Sequence, residues 1–238
     1  VQAGSYWMNP GEAYVFTGNR LLLGIVVPEF SFVGEFPMNF FGGTVAALGD
    51  VNGDGYDDVA SGAYNYCIDD SCYGRAYIYF GKAGTSSPWE VPDLVVTGRS
   101  GSDALGSCVG APGDINGDGF YDIAVSANFD PETGTHPGVV LFYVGAYDVD
   151  TAVDYFCRGE FDGQNFGWAI ENIGDVTGDG LTDFAVGAPE FASSGKVYIF
   201  EGFSSVVPVV AEVLSPFDGA VSSDQYQPVE FILHTERI

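Results

Sequence analysis

The chain has 238 residues, with 33 Asp and Glu against 7 Lys and Arg, for a formal charge of −26. So acidic a surface repels nucleic acid and anionic membrane, which excludes both as partners. With 46% hydrophobic and 17% charged residues the chain can bury a core, and it is not a disordered segment.

The elements, in order, are short and punctuated by Gly and Pro. Val1–Ser5, Gly11–Gly18 and Leu21–Val27 read as strands. A unit then begins at Phe41-Gly42, whose strand runs to Gly49 and leads into a nine-residue polar loop, Asp50–Asp58. Strands Val59–Ala63, Gly74–Gly81 and Asp93–Thr97 follow. The order recurs from Leu105-Gly106, with a loop at Asp114–Asp122 and strands at Ile123–Ala127, Gly138–Gly145 and Ala152–Phe156. It recurs again from Phe166-Gly167, with a loop at Asp175–Asp183 and strands at Phe184–Pro189, Gly195–Gly202 and Val209–Leu214. The tail departs from the pattern: a turn at Ser215–Ala220 and an isolated strand at Pro228–His234 open a second β module or pair with another blade.

Period-two alternation and enrichment in aromatic and β-branched residues identify strands, and no sustained helical stripe competes with them. The loops start at residues 50, 114 and 175, roughly 60 residues apart, a spacing suited to a four-stranded repeating unit. The expected fold is therefore all-β, a β-propeller of four-stranded antiparallel blades. Its divisions are a partial blade of strands two to four at 1–28, blades at 29–97, 98–157 and 158–214, and an extension or further β module at 215–238. Val1–Ser5 aligns in phase with Val59–Ala63, and Gly11–Gly18 with Gly74–Gly81. Three whole blades and most of another leave two blade faces bare, so the phase predicts part of a larger ring, or a chain that needs neighbours.

Each nine-residue loop places oxygen-bearing side chains at positions 1, 3, 5 and 9 and glycines at 4 and 6. Alternate residues can turn their oxygens inward around a hard cation while the glycines permit the tight turn. An EF-hand is excluded at position 12, where a bidentate Glu is required and Ser61, Val125 and Val186 stand instead. A simpler reading is an Asx turn that satisfies its own backbone. Recurrence favours the metal, because converging carboxylates without a cation repel one another.

Cys67 and Cys72 flank a short polar segment and suit a loop-closing disulfide in an oxidising compartment, whereas Cys108 reads as a small buried hydrophobe and Cys157 has no evident partner. His136 and His234 stand alone, which leaves no Cys–His zinc set. Nucleophile elbow, phosphate loop and paired His are all lacking, and the carboxylates outside the loops have no distinctive spacing, so the chain is read as no enzyme.

Taken together, the Phe-Gly start, the Asp-x-Asn-Gly-Asp-Gly loop, the Gly187–Pro189 turn and the aromatic strand closing at Gly202 resemble the FG-GAP repeat of integrin α-subunits and related secreted proteins. The third unit matches every part, with Thr177 standing at the Asn position of the loop. The first two replace the Gly-Ala-Pro by Ser61–Ala63 and Val125–Ala127, and the second replaces Phe by Leu105. The resemblance implies a propeller, usually seven-bladed, with Ca²⁺ in the loop between the first two strands of a blade. Its ligands would be Asp50, Asn52, Asp54, the carbonyl of Tyr56, and Asp58. The second set would be Asp114, Asn116, Asp118, the carbonyl of Phe120, and Asp122. The third would be Asp175, Thr177, Asp179, the carbonyl of Leu181, and Asp183, about three ions in all. Thr177 in place of Asn marks the weakest of these sites.

The expected function is a non-catalytic adhesion or binding module, secreted or at the cell surface, stabilised by calcium. Its protein or glycan ligand would meet the face opposite the calcium loops: 64–73, 128–137 and 190–194, with the approaches 30–39 and 158–165. Tyr64, Tyr66, Tyr73 and Phe129 are contact candidates there. Two alternatives stand beside it. One is a subunit of an extracellular filament or matrix, self-associating through open blade faces and the terminal strand. The other is an accessory propeller of a larger secreted hydrolase.

Overall fold

Antiparallel ladders follow the sequence repeat closely. The computed structural model describes residues 10–16, 28, 30–69, 71–83, 91–99, 103–127, 135–203, 211–212 and 230–231. An incomplete blade contributes β1 (Glu12–Val15) and β2 (Phe30–Val33), which pair antiparallel. The next blade holds β3 (Thr44–Gly49) and β4 (Asp58–Ala63), then a small hairpin of β5 (Cys67–Ile68) and β6 (Ser71–Cys72), then β7 (Arg75–Tyr79) and β8 (Leu94–Thr97). Its sheet runs β3-β4-β7-β8. The middle blade repeats that order with β9 (Val109–Gly113), β10 (Asp122–Ala127), β11 (Val139–Tyr143) and β12 (Tyr155–Arg158). The last blade has β13 (Ala169–Gly174), β14 (Asp183–Ala188) and β15 (Lys196–Phe200), and a two-residue pair, β16 (Ala211–Glu212) with β17 (Glu230–Phe231), follows.

Each blade is a meander of adjacent antiparallel strands, so its connections alternate between two ends. The nine-residue loops and the connections after the third strands share one end. The connections between strands two and three, and from one blade to the next, share the other. In each of the three blades that carry a nine-residue loop, the ladder between strands one and two slips register beside that loop, at Ala47/Gly49, Asp122/Ala124 and Asn172/Gly174. A bulge there sharpens the local twist and aims the loop.

Cores form between blades, because alternate residues of each strand face opposite neighbours. Ala13 and Phe32 pack with Phe41, Tyr77 and Tyr79 in the first joint. Leu48, Ala76, Ile78 and Leu105 pack with Val125 and Tyr143 in the second. Val140, Phe142 and Phe166 pack with Val186, Tyr198 and Phe200 in the third. The Phe of each Phe-Gly start, and Leu105 in its place, is thus an interblade plug, and burying one such side chain contributes about 1.5–3 kcal/mol. β9 lies between β3 and β13, as innermost strands of adjacent blades must.

Three details differ from expectation. Phe30–Val33, not Leu21–Val27, is the strand that pairs with β1; residues 21–27 lie outside the described residues. The fourth strand of the middle blade is Tyr155–Arg158, shifted from Ala152–Phe156 and crossing the boundary at 157. The tail segment expected to edge β15 as Val209–Leu214 appears as Ala211–Glu212 paired with Glu230–Phe231, so the terminal strand has a partner. Cys67 and Cys72 form the expected disulfide, closing the β5–β6 hairpin. Cys108 and Cys157 are buried thiols. Cys108 bonds to Ser126, which faces Val140, which faces Cys157. They therefore stand three strand spacings apart, about 14 Å, beyond disulfide reach.

Candidate metal loops and the opposite loop face

The three loops fold alike. Asp50, at position 1, accepts the Asp54 N–H at 3.0 Å and the Gly55 N–H at 2.8 Å. Asp114 accepts Gly117, Asp118 and Gly119 at 2.7, 3.1 and 2.9 Å, and Asp175 accepts Gly178, Asp179 and Gly180 at 2.6, 3.1 and 2.9 Å. At position 5, Asp54, Asp118 and Asp179 each accept the N–H of position 7, that is Tyr56, Phe120 and Leu181. Glycines at positions 4 and 6 take the left-handed backbone that lets six residues close this turn, as at Gly53 (φ 73°) and Gly55 (φ 89°).

Position 3 separates the loops. The amide of Asn52 donates to Asp54 Oδ2 at 3.1 Å and that of Asn116 to Asp118 Oδ2 at 2.9 Å. Their own carbonyl oxygens accept the Asp54 and Asp118 N–H groups. Thr177 has no amide to offer, and only its backbone N–H is engaged, with Asp183 Oδ2 at 3.0 Å.

Position 9 is fully buried in all three blades. Asp58 accepts the Val51 N–H at 2.9 Å and the Gly81 N–H at 2.8 Å, tying the loop to the end of the third strand. Asp122 holds Ile115 and Gly145, both at 2.9 Å, and Asp183 holds Val176 at 2.8 Å and Gly202 at 2.9 Å. Burial pushes the Asp58 carboxyl up to about 6 and Asp122 up to about 7; the two N–H donors oppose this, and the acids at positions 5 and 1 add to it.

These residues bring oxygens of the right kind to one loop, though in this arrangement no three acidic side chains among the described residues close on a single point. The bonds above are those of a self-capped turn. A carboxylate has about four lone-pair sites, so one to three N–H bonds leave capacity for a cation. The donor set is oxygen throughout, and the desolvated acids at position 9 gain from a nearby positive charge. On both counts the loops fit Ca²⁺.

At the opposite end, loop is tied to loop. The Arg75 guanidinium lies 3.6 Å over the Tyr66 ring and pairs with Glu35 at 3.0 Å, while its Nε donates to Thr97 at 2.9 Å. Phe40 stacks on Tyr64 with centroids 5.1 Å apart, and Asn65 donates to the Met38 carbonyl at 2.9 Å. Phe36, Met38, Phe40, Tyr64 and Ile68 remain exposed beside the disulfide hairpin. Of the expected contact residues, Tyr66 is buried and serves as a support, Tyr73 is half-buried, and Phe129 lies outside the described residues.

A feature not anticipated from sequence is a buried polar residue two positions before each Phe-Gly or Leu-Gly start: Asn39, Asp103 and Gln164. Phe40, Ala104 and Asn165, the residues between, all adopt left-handed backbone. The backbone carbonyls of Asn39 and Gln164 accept the N–H groups of Asn65 and Glu190, fixing the incoming loop to the one after strand two. Its signal was the constant offset from the Phe-Gly start.

The FG-GAP repeat family model matches residues 41–79, 109–143 and 166–200, one match per complete unit. The chain carries three FG-GAP repeats, and they fold as blades of an FG-GAP β-propeller. Its likeness is to integrin α-subunits. It is 30% identical to integrin alpha-PS5 of Drosophila melanogaster, across 90% of this chain and 20% of that protein. It is 32% identical to integrin alpha-IIb of Mus musculus across 74% of this chain and 17% of that one, and 31% identical to integrin alpha-5 of Xenopus laevis across 67% and 16%. The chain thus spans about a fifth of the length of the curated relatives it matches.

Proposed function

We propose that this chain is a calcium-stabilised, non-catalytic recognition segment of an extracellular adhesion protein. The observation that carries the reading is the division of labour between the two ends of the blades. One end holds three near-identical acidic loops bound into the β-framework through buried Asp58, Asp122 and Asp183. The other holds loops that differ from blade to blade, one stapled by a disulfide and edged with exposed aromatics. Repetition suits a structural ion, and variation suits recognition. Likeness to integrin α-subunits supports the adhesion role and the non-catalytic character, and the disulfide supports an oxidising, extracellular setting.

Ca²⁺ would be held by positions 1, 3, 5 and 9 and the carbonyl of position 7, and would neutralise the loop acids. Melting the protein in excess chelator and again in millimolar Ca²⁺ tests this. One site at a hundredfold its dissociation constant adds about 2.7 kcal/mol, so the melting temperature should fall markedly on chelation and recover on addition. An unchanged melt removes calcium from the proposal. Partner binding is tested by replacing Phe36, Phe40 and Tyr64 together by Ser. Loss of adhesion to a cell or matrix ligand, with the calcium response intact, locates recognition on this face.

A further inference from the structure

Two blades repeat one side-chain constellation at the end opposite the acidic loops. Arg75 opens β7 and Lys196 opens β15, each across the ladder from the last residue of strand two, Ala63 or Ala188. Each is paired with a glutamate six residues before the Phe-Gly start, Glu35 or Glu160. Arg75 donates to both Glu35 oxygens, at 3.0 and 3.1 Å, and the Tyr198 hydroxyl adds a bond to Glu160 at 2.8 Å. Each cation also lies on an aromatic ring three residues beyond strand two. Arg75 Cζ is 3.6 Å from the centre of Tyr66, and Lys196 Nζ is 4.8 Å from that of Phe191. The residue after each glutamate, Phe36 or Phe161, packs on the same ring, with centroids 6.0 and 5.6 Å apart, and stays exposed.

The backbone holds these rings in the same way in both blades. The Tyr66 carbonyl accepts the Tyr73 and Gly74 N–H groups, and the Phe191 carbonyl accepts those of Ser194 and Gly195. The loops themselves differ, one a disulfide hairpin and the other a short 3₁₀ turn at Phe191–Ser193, yet cation, acid and ring keep their places. The fold does not require this set. The middle blade has Val139 at the cation position and Arg99 at the acid position, and its sheet still forms with four strands. The constellation stands instead where Phe36 and Phe161 are presented to solvent.

We propose that Arg75 and Lys196 are positioning residues of the recognition face, a role that rests on the adhesion reading above. Each clamps the loop after strand two against the incoming loop, so that the exposed ring beside it meets a partner in one fixed place. An ion pair seated on an aromatic face gains more than an open surface pair, and a loop ordered beforehand spares the partner the entropy of ordering it.

Arg75→Met and Lys196→Met remove the charge and keep the stem. In the variant concerned, hydrogen exchange at the Tyr73 and Gly74 amides, or at Ser194 and Gly195, should quicken about tenfold, the effect of losing a cation–π contact with its ion pair. Exchange at Ser126 in the middle blade should not change. Adhesion to matrix laid down by cultured cells should weaken by a similar factor. Arg75→Lys and Lys196→Arg should recover most of both losses, because the charge matters and not the bulk. Where a Met variant melts more than a few degrees below the parent, Glu35→Gln or Glu160→Gln replaces it. Unchanged exchange overturns the proposal, as does quicker exchange with full adhesion. A parent that does not adhere at all overturns the adhesion reading, and this role with it, so the two failures are told apart by the parent alone.

Discussion

The second and third loops share their pattern of acids and glycines and differ in what stands over them. Gly117 lies against Leu181 of the next blade, and Ile115 is sealed and hydrogen-bonded by Phe203. In the third loop Gly178 has open space and Val176 is exposed. What shelters an acidic loop is therefore the blade after it. The loop supplies its own turn, and its neighbour supplies the low-dielectric wall that makes each buried hydrogen bond costly to lose.

The largest expected break in this comparison comes from position 9. Asp122→Ala strands the Ile115 and Gly145 N–H groups inside a closed joint and should cost about 3–5 kcal/mol in denaturant unfolding, since each orphaned buried donor costs about 1–3 kcal/mol. Asp183→Ala strands one buried donor, the Gly202 N–H, but frees Val176 and Thr177 at a loop open on its outer side, where water can take the place of the carboxylate, and should cost about half as much. Equal losses would mean that the neighbouring blade gives no shelter.

A smaller break comes from the glycine that ends each first strand. Gly113 and Gly174 both hold left-handed backbone, at φ 92° and 71°, so alanine strains either by about 1–2 kcal/mol. At Gly113 the new methyl would also lie 2.3 Å from the Asn172 amide and 2.7 Å from Thr182, whereas nothing lies within 4 Å at Gly174. Gly113→Ala should therefore lose about 1–3 kcal/mol more than Gly174→Ala by overpacking. Matching melting temperatures for the two variants would show that the blades separate easily at that joint.

Much of this was legible because loops and third strands carry dense local patterns. Fourth strands were harder. Leu21–Val27 is the more apolar stretch, yet the strand on β1 is Phe30–Val33. The better signal was an acid followed five residues later by Gly, as in Asp93 to Gly98 and Asp154 to Gly159. Those acids accept the Phe80 and Val144 N–H groups, and those glycines donate to Gly74 and Gly138. Glu29 to Gly34 repeats the spacing, and Gly34 donates to Gly11. Residues 204–214 lack it, which explains why Val209–Leu214 was a poor choice to edge β15. The interblade shelter was not legible at all, because one repeat read alone does not say which neighbour covers it.

The smallest effect isolates the loop from its surroundings. Thr177→Asn restores the amide that Asn52 and Asn116 use to hold the acid at position 5, a bond to a charged acceptor made at an exposed site. Because no blade among the described residues covers the third loop, the gain should come from the turn alone, about 0.5–1 kcal/mol, read as a modest rise in melting temperature. The same change in calcium affinity should accompany it, since the asparagine oxygen joins the donor set at position 3. If the melt rises and the calcium response does not, position 3 serves the turn only. If neither moves, the difference between the loops lies wholly in the neighbouring blade.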